Sequence, residues 1–287
     1  MSVAMMNPYT IKKQRDSIVV TFTDVNAGFE QWILCRGDAH FDSASSNNAL
    51  EMKHLKMAQE RGALIVDIGD LFDAMQGTHD RRRRFGASIQ DVEMDDYFDV
   101  LTEKAYLRYA PFAENWLLLG MGNHEDSVLH HAQTNLTRRL AHKLHAAGSQ
   151  VIAGGLEGWL RFRFSQDNDS RHSCGYFDCY YLHGYGGGGP VTKGAIQANR
   201  RQTWINADFV VSGHTHQSFH LPYRRLRLNK MGGEESRRTD HIQVSGYKER
   251  DNWNKSRGHS PECRTAFWIR FYGNGSQVKR QVIEVEE

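Results

Sequence analysis

The sequence predicts an α/β fold, and three observations carry that expectation. Short apolar runs recur along the chain, the segments between them show helical periodicity, and alternating segments take over after Gly213. In chain order, residues 18–22 and 32–35 read as strands buried on both faces, because they are continuous apolar runs closed by small polar residues. Residues 49–61 carry the apolar spacing of a helix, and 64–68 read as the next strand. A loop is expected over 77–86, where four arginines stand in a row, and a helix over 92–109. Residues 116–119 form another strand, 136–147 a helix stopped by Gly148, and 150–153, 180–182 and 209–211 three further strands. A second long loop, 184–194, holds four consecutive glycines. Beyond it, 218–228, 241–244, 266–272 and 278–285 alternate as an antiparallel second sheet would, completing a single domain over residues 1–287.

Composition excludes several classes. The 36 Lys and Arg nearly balance the 34 Asp and Glu, so the chain lacks the uniformly basic field of a protein that coats nucleic acid. Any polyanion site must be local. Cys35, Cys174, Cys179 and Cys263 show neither a C-x-x-C pair nor a regular framework, which reads as reduced thiols and leads us to expect a cytoplasmic protein. No stretch approaches the ~20 apolar residues that span a bilayer, so no membrane insertion is expected.

The chemistry sits at strand exits. The run 32–35 leads into Asp38-Ala39-His40, and 64–68 leads into Gly69-Asp70-Leu71-Phe72-Asp73. The run 116–119 leads into Gly122-Asn123-His124-Glu125, 180–182 into His183-Gly184, and 209–211 into Gly213-His214-Thr215-His216. In an α/β sheet, ligands gather beyond the carboxyl ends of the strands, so these five clusters can meet at one place. Carboxylates mixed with imidazoles suit Mn, Fe(II), Zn or Ni better than Mg or Ca. Two such ions sharing a carboxylate can clamp a phosphoryl group and turn a bridging water into hydroxide. Gly69, Gly122 and Gly213 would allow close backbone approach before each ligand.

As an ordered set, D-x-H, G-D-x-x-D, G-N-H-E, H-G and G-H-T-H resembles the calcineurin-like metallophosphoesterases over Asp38 to His216. The resemblance implies a two-sheet α/β sandwich with flanking helices. It also implies that Asp38, His40, Asp70 and His216 hold one divalent metal, and that Asn123, His183, His214 and the bridging Asp70 hold another, with manganese the first expectation. His124 would be the unliganded imidazole that protonates the leaving oxygen, a task suited to a group titrating near neutrality. One departure is that Arg36-Gly37 precede Asp38, where the family has a small residue.

The implied function is a phosphodiesterase acting on nucleic acid or a nucleotide-type substrate through the metal-bridged hydroxide. A phosphomonoesterase or protein phosphatase with the same centre, and a catalytically inactive scaffold, are the alternatives. For Asp73, orienting a ligand and capping a helix are both open, as are tuning and surface roles for Glu125. His130, His131, His142 and His145 read as surface or packing residues. Arg81 and Arg84 could rim the cleft, and Lys193, Arg200 or Arg201 could reach substrate from the glycine-rich loop; a solvated loop is the plain reading of each.

Overall fold

The computed structural model describes residues 7–74, 96–167, 172–187, 192–249, 264–273 and 276–285. The chain opens with strands β1 (Tyr9–Gln14), β2 (Ser17–Phe22) and β3 (Glu30–Arg36), then helix α1 (Asn48–Glu60) and strand β4 (Leu64–Asp67). Helix α2 (Tyr97–Tyr109), strand β5 (Trp116–Leu119), helices α3 (Asn123–Ala132) and α4 (Leu136–Ala146), and the short β6 (Ile152–Ala153) follow. The second half runs β7 (Glu157–Ser165), β8 (Ser173–Leu182), α5 (Ala195–Arg201), β9 (Phe209–Ser212), β10 (Phe219–Leu228), β11 (Glu234–Gln243), β12 (Phe267–Gly273) and β13 (Val278–Glu284).

These strands form two mixed sheets, β1-β2-β7-β8-β9-β11-β10 and β13-β12-β3-β4-β5-β6. The alternation of side chains along each strand explains the layering. In β3, Ile33 and Cys35 face the other sheet, where they meet Val20, Phe162, Phe164 and Phe209, while Leu34 points the opposite way. There it joins Ile65 and Leu119 beneath Leu55 of α1, Leu101 of α2, and Leu140 and Leu144 of α4. The sandwich is therefore a sheet–sheet core with helices on the outer face of the six-stranded sheet, as the resemblance implied.

Several boundaries differ from expectation. The C-terminal strands do not make one antiparallel sheet: β10 and β11 extend the seven-stranded sheet, whereas β12 pairs antiparallel with β3 and carries β13. Strand β7 has no counterpart among the expected elements, although Leu160, Phe162 and Phe164 alternate with Arg161 and Arg163 and bury only the apolar face. Arg36, the departure from the family pattern, is wholly buried and ion-paired to Glu51 of α1 at 2.8 Å and Asp67 of β4 at 2.9 Å. Cys35, Cys174 and Cys179 are free and buried. Cys263, Arg81, Arg84 and the loop 77–86 lie outside the described residues. Among the described residues no helix is long and apolar enough to cross a membrane.

Candidate metal centre

Every strand that ends in a candidate ligand ends on the same side. The exits of β3, β4 and β5 are parallel neighbours in one sheet, and those of β8 and β9 are parallel neighbours in the other. Backbone hydrogen bonds stitch the exits together: Asp38 N–H donates to the Gly69 carbonyl at 2.8 Å, His40 N–H to the Asp70 carbonyl at 3.0 Å, and Gly213 N–H to the His183 carbonyl at 3.0 Å. The glycines work by absence of a side chain. A Cβ on Gly122 would strike the Asp70 carboxylate, and one on Gly213 would strike that of Asp38.

Backbone strain marks the same residues. Asp38 (φ 50°), His40 (42°), Asp70 (52°), His214 (70°) and His216 (56°) all adopt the left-handed region, half of the ten non-glycine residues that do so among those described. Each such conformation costs on the order of 1–3 kcal/mol and persists only where the surroundings enforce it, which is characteristic of functional sites.

The side chains meet in two adjoining sets. Asp38, His40 and His216 present donor atoms within 4.8 Å of one another, and so do Asp70, His183 and His214. In the second set His183 Nε2 stands 3.2 Å from Asp70 Oδ2, 3.0 Å from Asn123 Oδ1 and 3.3 Å from His214 Nδ1, and the last lies 2.8 Å from Asn123 Oδ1. Ligands about 2.1 Å from one ion are themselves about 3 Å apart, so this spacing fits a shared cation. Asp70 Oδ2 also faces the first set, at 3.8 Å from His40 Nε2, while Asp70 Oδ1 accepts the His124 backbone N–H at 2.9 Å.

Electrostatics agrees with this donor set. Burial lowers His40 to about 4 and holds His214 and His216 below their ordinary value, which leaves their nitrogens neutral and able to donate a lone pair. Burial pushes Asp38 up to about 7, the mark of a carboxylate short of positive charge. Burial also pushes Asp70 upward, but the His183, His124 and His40 rings outweigh it and hold this carboxyl well below the usual range. Burial opposes protonation of His183, yet the Asp70 carboxylate overrides it and raises the imidazole to about 9.

His124 is buried beside both sets, with Nδ1 2.6 Å from the Asp73 carbonyl and Nε2 3.8 Å from Asp70 Oδ2. The Asp73 carbonyl accepts the Nδ1–H and so turns Nε2 toward the centre. His40, Asp70 and His124 also lie within ligating reach of one another. Lys193 and Arg200 have exposed side chains at the edge of α5, away from these contacts.

Three supporting residues were not assigned from sequence. Glu125 is no surface residue: its carboxylate is buried and accepts the backbone N–H groups of Asp70, Phe72 and Gly122 at 3.1, 2.9 and 2.8 Å, clamping the β4 exit to the start of α3. Its place at the third residue of a helix is the local signal that could have found it. Asp73 orients the candidate ligand His40, with Oδ1 3.1 Å from His40 Nδ1 and 3.0 Å from Lys248 Nζ. Lys248 has no local signal, since only the fold brings it there.

No family model and no curated protein matches the chain in sequence. Among solved structures it is similar to a metallophosphoesterase from Sphaerobacter thermophilus, at 13% identity and a TM-score of 0.35, over 89% of this chain and 90% of the other. It is similar also to vacuolar protein sorting 29 from Cryptosporidium parvum, at 9% identity and 0.33, over 90% and 100%. A predicted phosphoesterase from Streptococcus pneumoniae overlaps at 8% identity and 0.30, over 90% and 99%. The chain's own architecture is a two-sheet α/β sandwich with buried histidine and aspartate clusters at the carboxyl ends of its strands.

Proposed function

We propose that this protein is a dinuclear metal-dependent phosphoester hydrolase, and that it prefers diesters of nucleic acid or nucleotide type. One observation carries the reading: Asp70 Oδ2 faces both donor sets, which is what a bridging carboxylate requires. Asp38, His40, Asp70 and His216 would hold one cation, and Asp70, Asn123, His183 and His214 the other. Mixed imidazole, carboxylate and amide donors favour manganese, with iron, zinc and nickel as fits of the same kind. Such a pair supplies positive charge against the phosphoryl oxygens and acidifies water at neutral pH.

The chain's own groups supply the rest. Asp73 and Glu125 fix ring and backbone orientation, so the ligands need little rearrangement. With its Nδ1–H given to the Asp73 carbonyl, His124 presents Nε2 toward the centre, and the ring would deliver a proton to the leaving oxygen from that atom as the imidazolium. The diester preference is supported by the local arginine clusters and by the G-D-L-F-D form of the second motif.

Turnover of a bis-aryl and a mono-aryl phosphate by manganese-loaded protein tests this. Faster diester hydrolysis is expected. A strong monoester preference would reassign the substrate class, and turnover of neither would remove the enzymatic reading in favour of a binding scaffold.

A further inference from the structure

Of the two buried arginines among the described residues, Arg36 faces carboxylates, those of Glu51 and Asp67. Arg201, the last residue of α5, does not. It is 2% exposed, its Nε has no hydrogen-bond partner, and among the described residues no carboxylate stands within ion-pair distance. The titratable group acting on it is the Tyr185 phenol. A cation taken out of water without a counter-charge is costly, so its retention calls for an anion that arrives from outside.

The geometry says where that anion would sit. A Cβ built on Gly184 would lie 3.3 Å from the Gly213 carbonyl oxygen, 3.4 Å from His214 Cβ and 3.5 Å from Arg201 Nη2, so the guanidinium comes up beside the exit that carries a candidate metal ligand. His241, on the outer face of the seven-stranded sheet, has both ring nitrogens buried and unpartnered, and Arg225 has an unpartnered Nη2. Burial, with Arg201 and Arg225 adding to it, lowers His241 to about 4, so it stays neutral and the two arginines carry the charge. Asp240, beside His241, is already engaged by His220 and Arg238, and Asp208 by Arg237 and Arg280.

We infer that the recess between Gly184, His214 and the end of α5 is an oxyanion subsite in which Arg201 binds a phosphoryl oxygen of the substrate. The guanidinium fork matches phosphate geometry, and its position beside His214 puts the bound oxyanion next to the Asn123–His183–His214 set. The neighbouring Arg200 points to solvent and takes no part. This assignment rests on the phosphoesterase reading for the identity of the anion.

Inorganic phosphate titrated calorimetrically into chelator-stripped protein tests it, with Arg201→Met, Arg201→Lys and Arg200→Ala as variants. Arg201→Met should weaken phosphate binding at least tenfold, Arg201→Lys should fall between it and the parent, and Arg200→Ala should stay within twofold. Arg201→Met should also melt no lower than the parent in phosphate-free buffer, because an apolar chain replaces an unpaired charge. In the parent protein the Arg201 Nε–H resonance should move on phosphate addition, a readout that does not depend on how any variant folds. Phosphate affinity within twofold of the parent in Arg201→Met, or an unmoved Nε–H resonance, overturns the proposal. Because metal is absent from the titration, failure to bind manganese would sink the dimetal reading alone.

Discussion

At the scale of single residues, the account divides the histidines and carboxylates by what each nitrogen or oxygen faces. Asp70 faces both donor sets through one oxygen, whereas His124 commits Nδ1 to a backbone carbonyl. Asp70→Asn should therefore lower the affinity for both metals, by tenfold or more, as read by metal content after gel filtration. His124→Asn should keep its metals and lose about 10²–10⁴-fold in turnover on a poor leaving group. Near-parental speed in that variant would remove its role as acid. His183 adds a pH dependence of definite sign. Because Asp70 raises this imidazole to about 9 in the metal-free protein, a cation must displace its proton, so manganese affinity should rise with pH and level off above about 9. A flat profile between pH 6 and 9 would show that His183 is not displaced. Most of the residues that meet at this candidate centre were legible in the sequence, since each follows an apolar run within a short motif. Glu125 and Asp73 sit inside the same motifs, but their roles depend on partners in other loops.

At the scale of elements, the candidate ligands are held by strand exits whose relative positions are set from behind. Arg36 of β3 joins Glu51 of α1 and Asp67 of β4, and Glu51 also accepts from Tyr109 at 2.7 Å and from Arg108 Nε at 2.9 Å on α2. Asp67 in turn accepts the Gly69 N–H at 2.9 Å, one residue before Asp70. Removing one member of a buried ion network typically costs about 3–5 kcal/mol, so Arg36→Ala should lose a comparable amount in chemical denaturation. Burial pushes the Glu51 carboxyl up, but Arg36 and Arg108 with the Tyr109 hydroxyl override it and leave it below its ordinary value. A depressed carboxyl stabilises the fold above its unfolded pKa of about 4.3, and that stability is lost as pH falls through the folded value. Glu51→Gln should accordingly be less stable at pH 7 and show a shallower acid loss than the parent. Arg36 was visible in the sequence only as an oddity before Asp38, because its partners come from two other elements, α1 and β4. Strand β7 was missed for a different reason: its alternation of Arg and Phe lacks the continuous apolar run by which buried strands were recognised.

At the scale of the whole molecule, two mixed sheets bring five chain segments, spread from Asp38 to His216, to one edge. The sequence order already implied convergence, but not how the C-terminal strands divide between the sheets, since alternation does not reveal a strand's partner. The division matters to the site. Tyr247 follows β11 and donates its N–H to the Asp38 carbonyl at 3.0 Å, and Lys248 reaches Asp73, so the tail buttresses the first donor set. A ligand that binds only the folded state stabilises it by about 2.7 kcal/mol at a hundredfold excess over its dissociation constant. Manganese should therefore raise the melting temperature of the parent by several degrees and that of Asp70→Asn far less. The most direct measurement is anomalous diffraction from a crystal grown with manganese. The account predicts two peaks, one within ligating distance of Asp38, His40 and His216, the other of Asn123, His183 and His214, with Asp70 reaching both. A map with no anomalous density among these side chains would contradict it.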